Sequence, residues 1–263
     1  MRVGYVQTRP SFGRVEENVR NALILASRLD AELIVLPELF NTGYSFKDRR
    51  EVARYAEDAT NGYTAKRLMD FTKRKGNALV AGIAESCGGE LYNSALLVVR
   101  GRIFYVYRKT HLFYKEKEWF DPGDSGFKVV DVDGLKVGVM ICFDWLFPEA
   151  ARTLALKGAE IIAHPSNLVL PGLGQLGMRV RSIENRVFTV TANRVGLERR
   201  GEEVLRFTGR SQVVDPTGRI VLMSGAREVV ARSVDVDLSL ARDKRITRFN
   251  DVLKDRRPEH YFG

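Results

Sequence analysis

Apolar residues recur along the chain with two periods, and their alternation predicts the order of elements. Val3 with Gly4 to Gln7 reads as a short strand, after which Val15, Val19, Ala22, Leu23, Ala26 and Leu29 share one face at helical spacing. Leu33-Ile34-Val35-Leu36 is a continuous apolar run closed by Pro37, the mark of a strand buried on both faces. A second helix is expected from Tyr63 to Lys75, with Thr60 or Asn61 near its start and Gly76 just past its end. Ala78 to Ala84 follows as strand.

The pattern then tightens into hairpins. Cys87-Gly88-Gly89-Glu90 predicts a turn before a strand from Leu91 to Val99, and Gly101-Arg102 one before Ile103 to Arg108. Phe127 to Val132 and Leu135 to Ile141 flank Asp133-Gly134 in the same way. Pro148 suits the first residue of a helix running to Lys157 and closed by Gly158, and Glu160 to Ala163 returns to strand, giving a βαβ unit. Gln175 to Arg186 is expected as helix, Val187 to Ala192 as strand, Ser211 to Val214 with Ile220 to Met223 as a hairpin, and Val229 to Val236 as the last strand before a short helix and a polar tail. No linker interrupts this order, which predicts a single α/β domain over residues 1–263 with helices on the outer faces of two mixed sheets.

Composition narrows the class. Hydrophobic residues at 44% and charged residues at 29% are globular values, with no low-complexity tract, so disordered and fibrous architectures are excluded. No apolar run approaches a membrane span and the opening ten residues lack a signal-peptide core, so a soluble, unprocessed chain without membrane association is expected. Two cysteines, Cys87 and Cys142, are too few for a disulfide scaffold and suit a reducing cytoplasm. The net charge of +9 allows a basic nucleic-acid-binding module as an alternative of a different class. The basic residues, however, form small clusters (Arg49-Arg50, Lys73-Arg74-Lys75, Arg199-Arg200, Arg256-Arg257) with acidic residues between them, the pattern of a solvated surface, and no nucleic-acid partner is expected.

In open α/β sheets ligands bind beyond the carboxyl ends of strands. Four apolar strands end there on chemistry: Glu38, Lys109, Cys142 and Asn167. Cys142 lies between a buried strand and a helix, the layout of a nucleophile elbow, which exposes the thiol and frees the Phe143 N–H to face a developing oxyanion. Taken alone, a cysteine there is more often a small core residue. Cys87, in a glycine-rich turn, has no such placement. A thiol needs a base. His111, His164 and His260 carry no cysteine–histidine signature, and hydrogen bonding is the expected role of the first two. Neither an HExxH helix nor a CxxC pair points to a metal. Glu38 stands between apolar residues, where a carboxylate is costly to bury; burial would raise its pKa and a nearby ammonium would hold it down, together giving a base. Lys109 supplies such an ammonium.

At these residues the sequence resembles the nitrilase superfamily of carbon–nitrogen hydrolases. Leu36-Pro37-Glu38-Leu39-Phe40 is similar to the family's glutamate motif, Tyr107-Arg108-Lys109-Thr110-His111-Leu112 to its lysine motif, and Gly138-Val139-Met140-Ile141-Cys142-Phe143-Asp144 to its cysteine motif, in the same order and spacing. The stretches His164-Pro165-Ser166-Asn167, Glu184-Asn185-Arg186 and Ala192-Asn193-Arg194 extend the likeness along essentially the whole chain. The resemblance implies a four-layer αββα sandwich, usually a homodimer, with a terminal tail (245–263) packing at the dimer interface. It implies that Glu38 takes the Cys142 proton, that the thiolate attacks the substrate carbon, that Lys109 and the Phe143 amide hold the oxyanion, and that water attacks the resulting thioester. Glu116 matches a second active-site glutamate, and Phe143, Trp145 and Asn167 are expected at the substrate. The partner is a small amide or nitrile, with no metal or organic cofactor. Asp144 after Phe143 favours amide or carbamoyl substrates over nitriles, although in isolation it reads as a helix cap. N-carbamoyl amines are the alternative within the family. The loops Phe46 to Arg54 and Leu168 to Leu176 are expected to shape the pocket. High charge with only three Gln predicts a heat-adapted protein, and calorimetry should return a melting temperature above the mesophile range of roughly 45–65 °C.

Overall fold

The computed structural model describes residues 1–261. In chain order it contains β1 (Arg2–Gln7), α1 (Val15–Ser27), β2 (Leu33–Val35), α2 (Arg49–Tyr55), α3 (Tyr63–Lys75), β3 (Ala78–Cys87), β4 (Glu90–Val99), β5 (Arg102–Arg108), α4 (Glu116–Trp119), β6 (Val129–Val132) and β7 (Leu135–Val139). A 3-10 turn, Cys142–Leu146, leads to α5 (Pro148–Leu156), β8 (Ile161–Pro165), α6 (Leu173–Asn185), β9 (Phe188–Ala192), β10 (Val195–Arg200), β11 (Glu203–Thr208), β12 (Gln212–Val214), β13 (Ile220–Met223), β14 (Val230–Asp235) and α7 (Ser239–Arg242). Two six-stranded sheets have the orders β14-β1-β2-β3-β4-β5 and β13-β12-β9-β8-β7-β6. Each has three parallel strands at its centre, β1-β2-β3 and β7-β8-β9, flanked by antiparallel ones.

The continuous apolar runs have a direct cause. Side chains alternate across a strand, and here both faces are covered. Val3, Tyr5, Leu33, Val35, Val80 and Leu97 of the first sheet meet Val137, Val139, Ile161, Ala163, Val190 and Val213 of the second in one central core. The alternate residues Ile34, Leu79, Ala81 and Leu96 pack under α1 and α3, while Met140 and Ile162 pack under α5 and α6. Helix, sheet, sheet, helix is therefore the layer order, an α/β sandwich.

Several boundaries differ from the sequence reading, each for a local reason. The α3 N-cap is Gly62, because the Asp58 carboxylate ties the N–H groups of Thr60 and Asn61 into a preceding turn. β3 runs on to Cys87, paired with β4 across a turn of only Gly88-Gly89. Between Phe46 and Arg54, where a loop was expected, Asp48 caps α2 by accepting from the Glu51 N–H. The β10–β11 ribbon was not anticipated. Its strands pair with each other, and polarity runs against burial in them, with Glu198 buried and Leu197 and Val204 exposed, so apolar spacing does not mark them.

Candidate active site

The four chemistry-bearing strand ends converge at one edge of the central core. Glu38 follows β2 across Pro37, Lys109 directly follows β5, Cys142 follows β7, and Asn167 follows β8. Lys109 Nζ donates to Glu38 Oε1 at 2.7 Å and to Glu116 Oε1 and Oε2 at 2.9 and 2.7 Å, and all three side chains are fully enclosed. Burial opposes the ammonium charge, but the Glu116 and Glu38 carboxylates outweigh it and raise the Lys109 pKa above the ordinary lysine value. Burial also raises Glu116, an effect that Lys109 opposes and Glu38 reinforces. One ammonium thus serves two carboxylates.

Glu38 is held by one oxygen only. Its Oε1 accepts from Lys109 Nζ and from Asn93 Nδ2 (2.7 Å), whereas the buried Oε2 has no partner among the described residues. That oxygen is available to accept a proton. Burial pushes the Cys142 thiol well above its ordinary pKa, Glu38 adds to the rise, and Lys109 and the Asn167 backbone N–H work against it. Burial thus favours the thiol form of Cys142.

The backbone around these groups is constrained. Cys142 has φ +39° and Leu39, beside Glu38, φ +46°, left-handed conformations that a side chain with a Cβ enters only at a cost. The Phe143 N–H makes no hydrogen bond among the described residues. A Cβ on Gly82 would lie 2.5 Å from Glu38 Cα, and one on Gly123 2.7 Å from the Lys109 carbonyl oxygen, so both strand ends pass glycines at backbone contact distance. Phe113, Cys142, Phe143, Trp145, Asn167 to Leu170 and Gly174 line a narrow pocket of ≈ 20 Å³. Larger clefts near Asp133 and Arg206 contain none of the four groups.

The carbon–nitrogen hydrolase family model matches residues 2–246. The chain is 49% identical to a nitrilase of Pyrococcus abyssi over 100% of its own length and 99% of that protein, and 36% identical to an (R)-stereoselective amidase of a Pseudomonas species over 98% and 92%. The chain belongs to the carbon–nitrogen hydrolase family. In structure, this hydrolase resembles a mutant amidase from Nesterenkonia sp. AN1 solved with acrylamide added to its active-site cysteine, at 27% identity, a TM-score of 0.80, and coverage of 98% and 97%.

Sequence reasoning missed several groups that build the site of this hydrolase. Tyr44 Oη donates to Glu116 Oε1 at 2.6 Å, and Asn93 both accepts the Lys109 N–H through its carbonyl and holds Glu38. Tyr44 sits in what reads as loop, and an asparagine inside an apolar strand, Asn93, was the one available signal. Asn167 lines the pocket, yet its side-chain NH₂ is spent on the Glu38 carbonyl at 2.9 Å, and its buried Oδ1 has no partner among the described residues. Of the two loops expected around the pocket, the one after β8 supplies its wall, while Phe46 packs with Trp119 and Phe120 and no residue from Phe46 to Arg54 reaches the pocket. His164 is pushed down to about 4 by burial, and its ring hydrogen-bonds to the Cys142 carbonyl oxygen at 2.9 Å, so a neutral imidazole braces the elbow.

Asp144 does more than cap the turn. Its Oδ2 accepts from the Ile141 N–H (2.8 Å) and Tyr107 Oη (2.7 Å), and its Oδ1 from the N–H and Nδ1 of His111 (3.2 and 2.7 Å). One buried carboxylate thereby ties the cysteine turn to the strand end carrying Lys109. Asp144→Ala leaves at least two buried donors without an acceptor and is expected to lower unfolding free energy by roughly 2–4 kcal/mol, measured by denaturant titration.

Proposed function

We propose that this hydrolase cleaves the amide or nitrile group of small aliphatic compounds to a carboxylate and ammonia through a Cys142 thioester. The observation that carries the reading is the unpartnered, buried Glu38 Oε2 in a cluster whose ammonium is already committed to carboxylates. For an amide, Glu38 takes the thiol proton as Sγ attacks the carbonyl carbon. Lys109 Nζ and the Phe143 N–H stabilise the oxyanion that develops. Glu38 then protonates the departing ammonia, and a water activated by Glu38 or positioned by Glu116 attacks the thioester, releasing the acid and restoring the thiol. The apolar walls formed by Phe113, Phe143, Trp145 and Leu168 to Leu170 beside Cys142 suit an aliphatic acyl group. No residue in this scheme calls for a metal or cofactor, and a cytoplasmic setting keeps both thiols reduced. N-carbamoyl amines are the second reading. Asp144 after Phe143 favours them, with amides, over nitriles.

The reading extends to a homodimer built over α6. Leu173, Leu176, Val180 and Ile183 form one outward stripe on that helix and are 40–55% exposed. Phe249 and Ile246 of the tail add apolar surface at 79% and 58% exposure, and the tail is anchored on its own chain where Arg152 donates to the Val252 carbonyl. A second copy of the chain covering this face, with the tail at the interface, accounts for both.

Ammonia release from short amides, dinitriles and carbamoyl amines should be detectable in wild type, vanish in Cys142→Ala, and fall by about 10²-fold or more in Lys109→Ala; wild-type rates in either variant would overturn the triad. Light scattering should give twice the 29.7 kDa chain mass, and Leu176→Glu with Val180→Glu should shift it to the monomer.

A further inference from the structure

A second buried ion pair lies outside the triad and reaches back to it. Arg194 and Glu198 are 1% and 6% exposed, with Arg194 Nη1 donating to Glu198 Oε1 at 2.5 Å. Desolvation makes such a pair weak evidence of stability, so what its remaining valences hold is the informative question. Glu198 Oε2 accepts the backbone N–H groups of Tyr44 at 3.1 Å and Ser45 at 2.8 Å, from a segment about 150 residues earlier in the chain. The carboxylate fits flush against Gly43, which has φ +86° and where a Cβ would lie 2.8 Å from Glu198 Oε1. The Arg194 guanidinium lies 3.9 Å over the Phe207 ring, and that ring meets Tyr44 edge-on with centroids 6.0 Å apart. Trp119 closes the other side of Tyr44 at 6.2 Å. The chain of contacts ends at the Tyr44 hydroxyl, which donates to the carboxylate gripping Lys109.

We propose that the Arg194–Glu198 pair positions the active site, setting the Tyr44 backbone so that the Tyr44 hydroxyl holds Glu116, and through it Lys109, in register. The proposal rests on the triad reading above. Arg194, Glu198 and Tyr44 are positioning residues, since the network joins them to Glu116 and not to the reacting carbon. Small displacements of such groups cost large factors in rate.

The test compares Glu198→Gln, which keeps the shape but removes the charge, and Glu198→Asp, which keeps the charge but is too short to span Arg194 and both N–H groups, with Tyr44→Phe, which removes only the hydroxyl. Glu198→Gln is expected to lower kcat about tenfold with KM nearly unchanged, and to cost little more once Tyr44 is already Phe, because effects transmitted through one group are not additive. Alkylation of Cys142 by iodoacetamide, followed against pH in a Cys87→Ser background, reads the cluster without any substrate. The Tyr44 hydroxyl favours the ionised form of Glu116, whose negative charge opposes the Cys142 thiolate, so the acid limb should move to lower pH in Tyr44→Phe and in the Glu198 variants alike. Equal kcat losses in both backgrounds, or a lower melting temperature with unchanged kcat and alkylation profile, would overturn the proposal. If Glu198→Gln does not fold, Glu198→Asp carries the same comparison. A wild type that releases no ammonia from any substrate would overturn the triad reading instead, and the alkylation profiles would still decide the positioning role.

Discussion

The structure is organised around the burial of one ammonium between two carboxylates. Lys109, Glu38 and Glu116 lie at the strand-end edge of the central apolar core, and each charge there is tolerable only because the others are within hydrogen-bond distance. Burial is the main upward pressure on Glu116 and on the Cys142 thiol, and the neighbouring Glu38 carboxylate adds to it.

Holding such a cluster requires rigid surroundings, and the fold provides them from both sheets. Glycines admit the Glu38 and Lys109 backbones at distances that any side chain would block, and Asp144 crosslinks the cysteine turn to the lysine strand end. His164, kept neutral by burial, hydrogen-bonds to the carbonyl oxygen of Cys142 itself, whose left-handed backbone is the kind of local strain that the rest of a structure must sustain. The polar residues behind the triad read as one continuous support rather than as separate contacts.

Much of this was legible in the chain. Apolar runs covered on both faces, helices with 3.6-residue stripes and glycine stops after α3 and α5 marked most elements, because those signals are local. Glu38, Lys109 and Cys142 were visible because each follows an apolar strand at once. The β10–β11 ribbon and α2 were not visible, since the ribbon buries the charged Glu198 while Leu197 and Val204 are exposed, and a seven-residue helix depends on its Asp48 cap.

The sequence by itself determined two mixed sheets with outer helices and the strand-end placement of the chemistry, which follow from short-range patterns of polarity, and the family likeness, which the residue motifs around Glu38, Lys109 and Cys142 carry. Only the tertiary structure decided how the charges pair: that Lys109 serves two carboxylates, that Asn93 occupies one oxygen of Glu38, that Asn167 spends its amide on a backbone carbonyl, and that Glu198 grips the backbone of Tyr44. Those outcomes depend on which strands become neighbours and on the few tenths of an ångström that separate a hydrogen bond from an unpaired polar atom, and neither quantity is written in the spacing of residues along the chain.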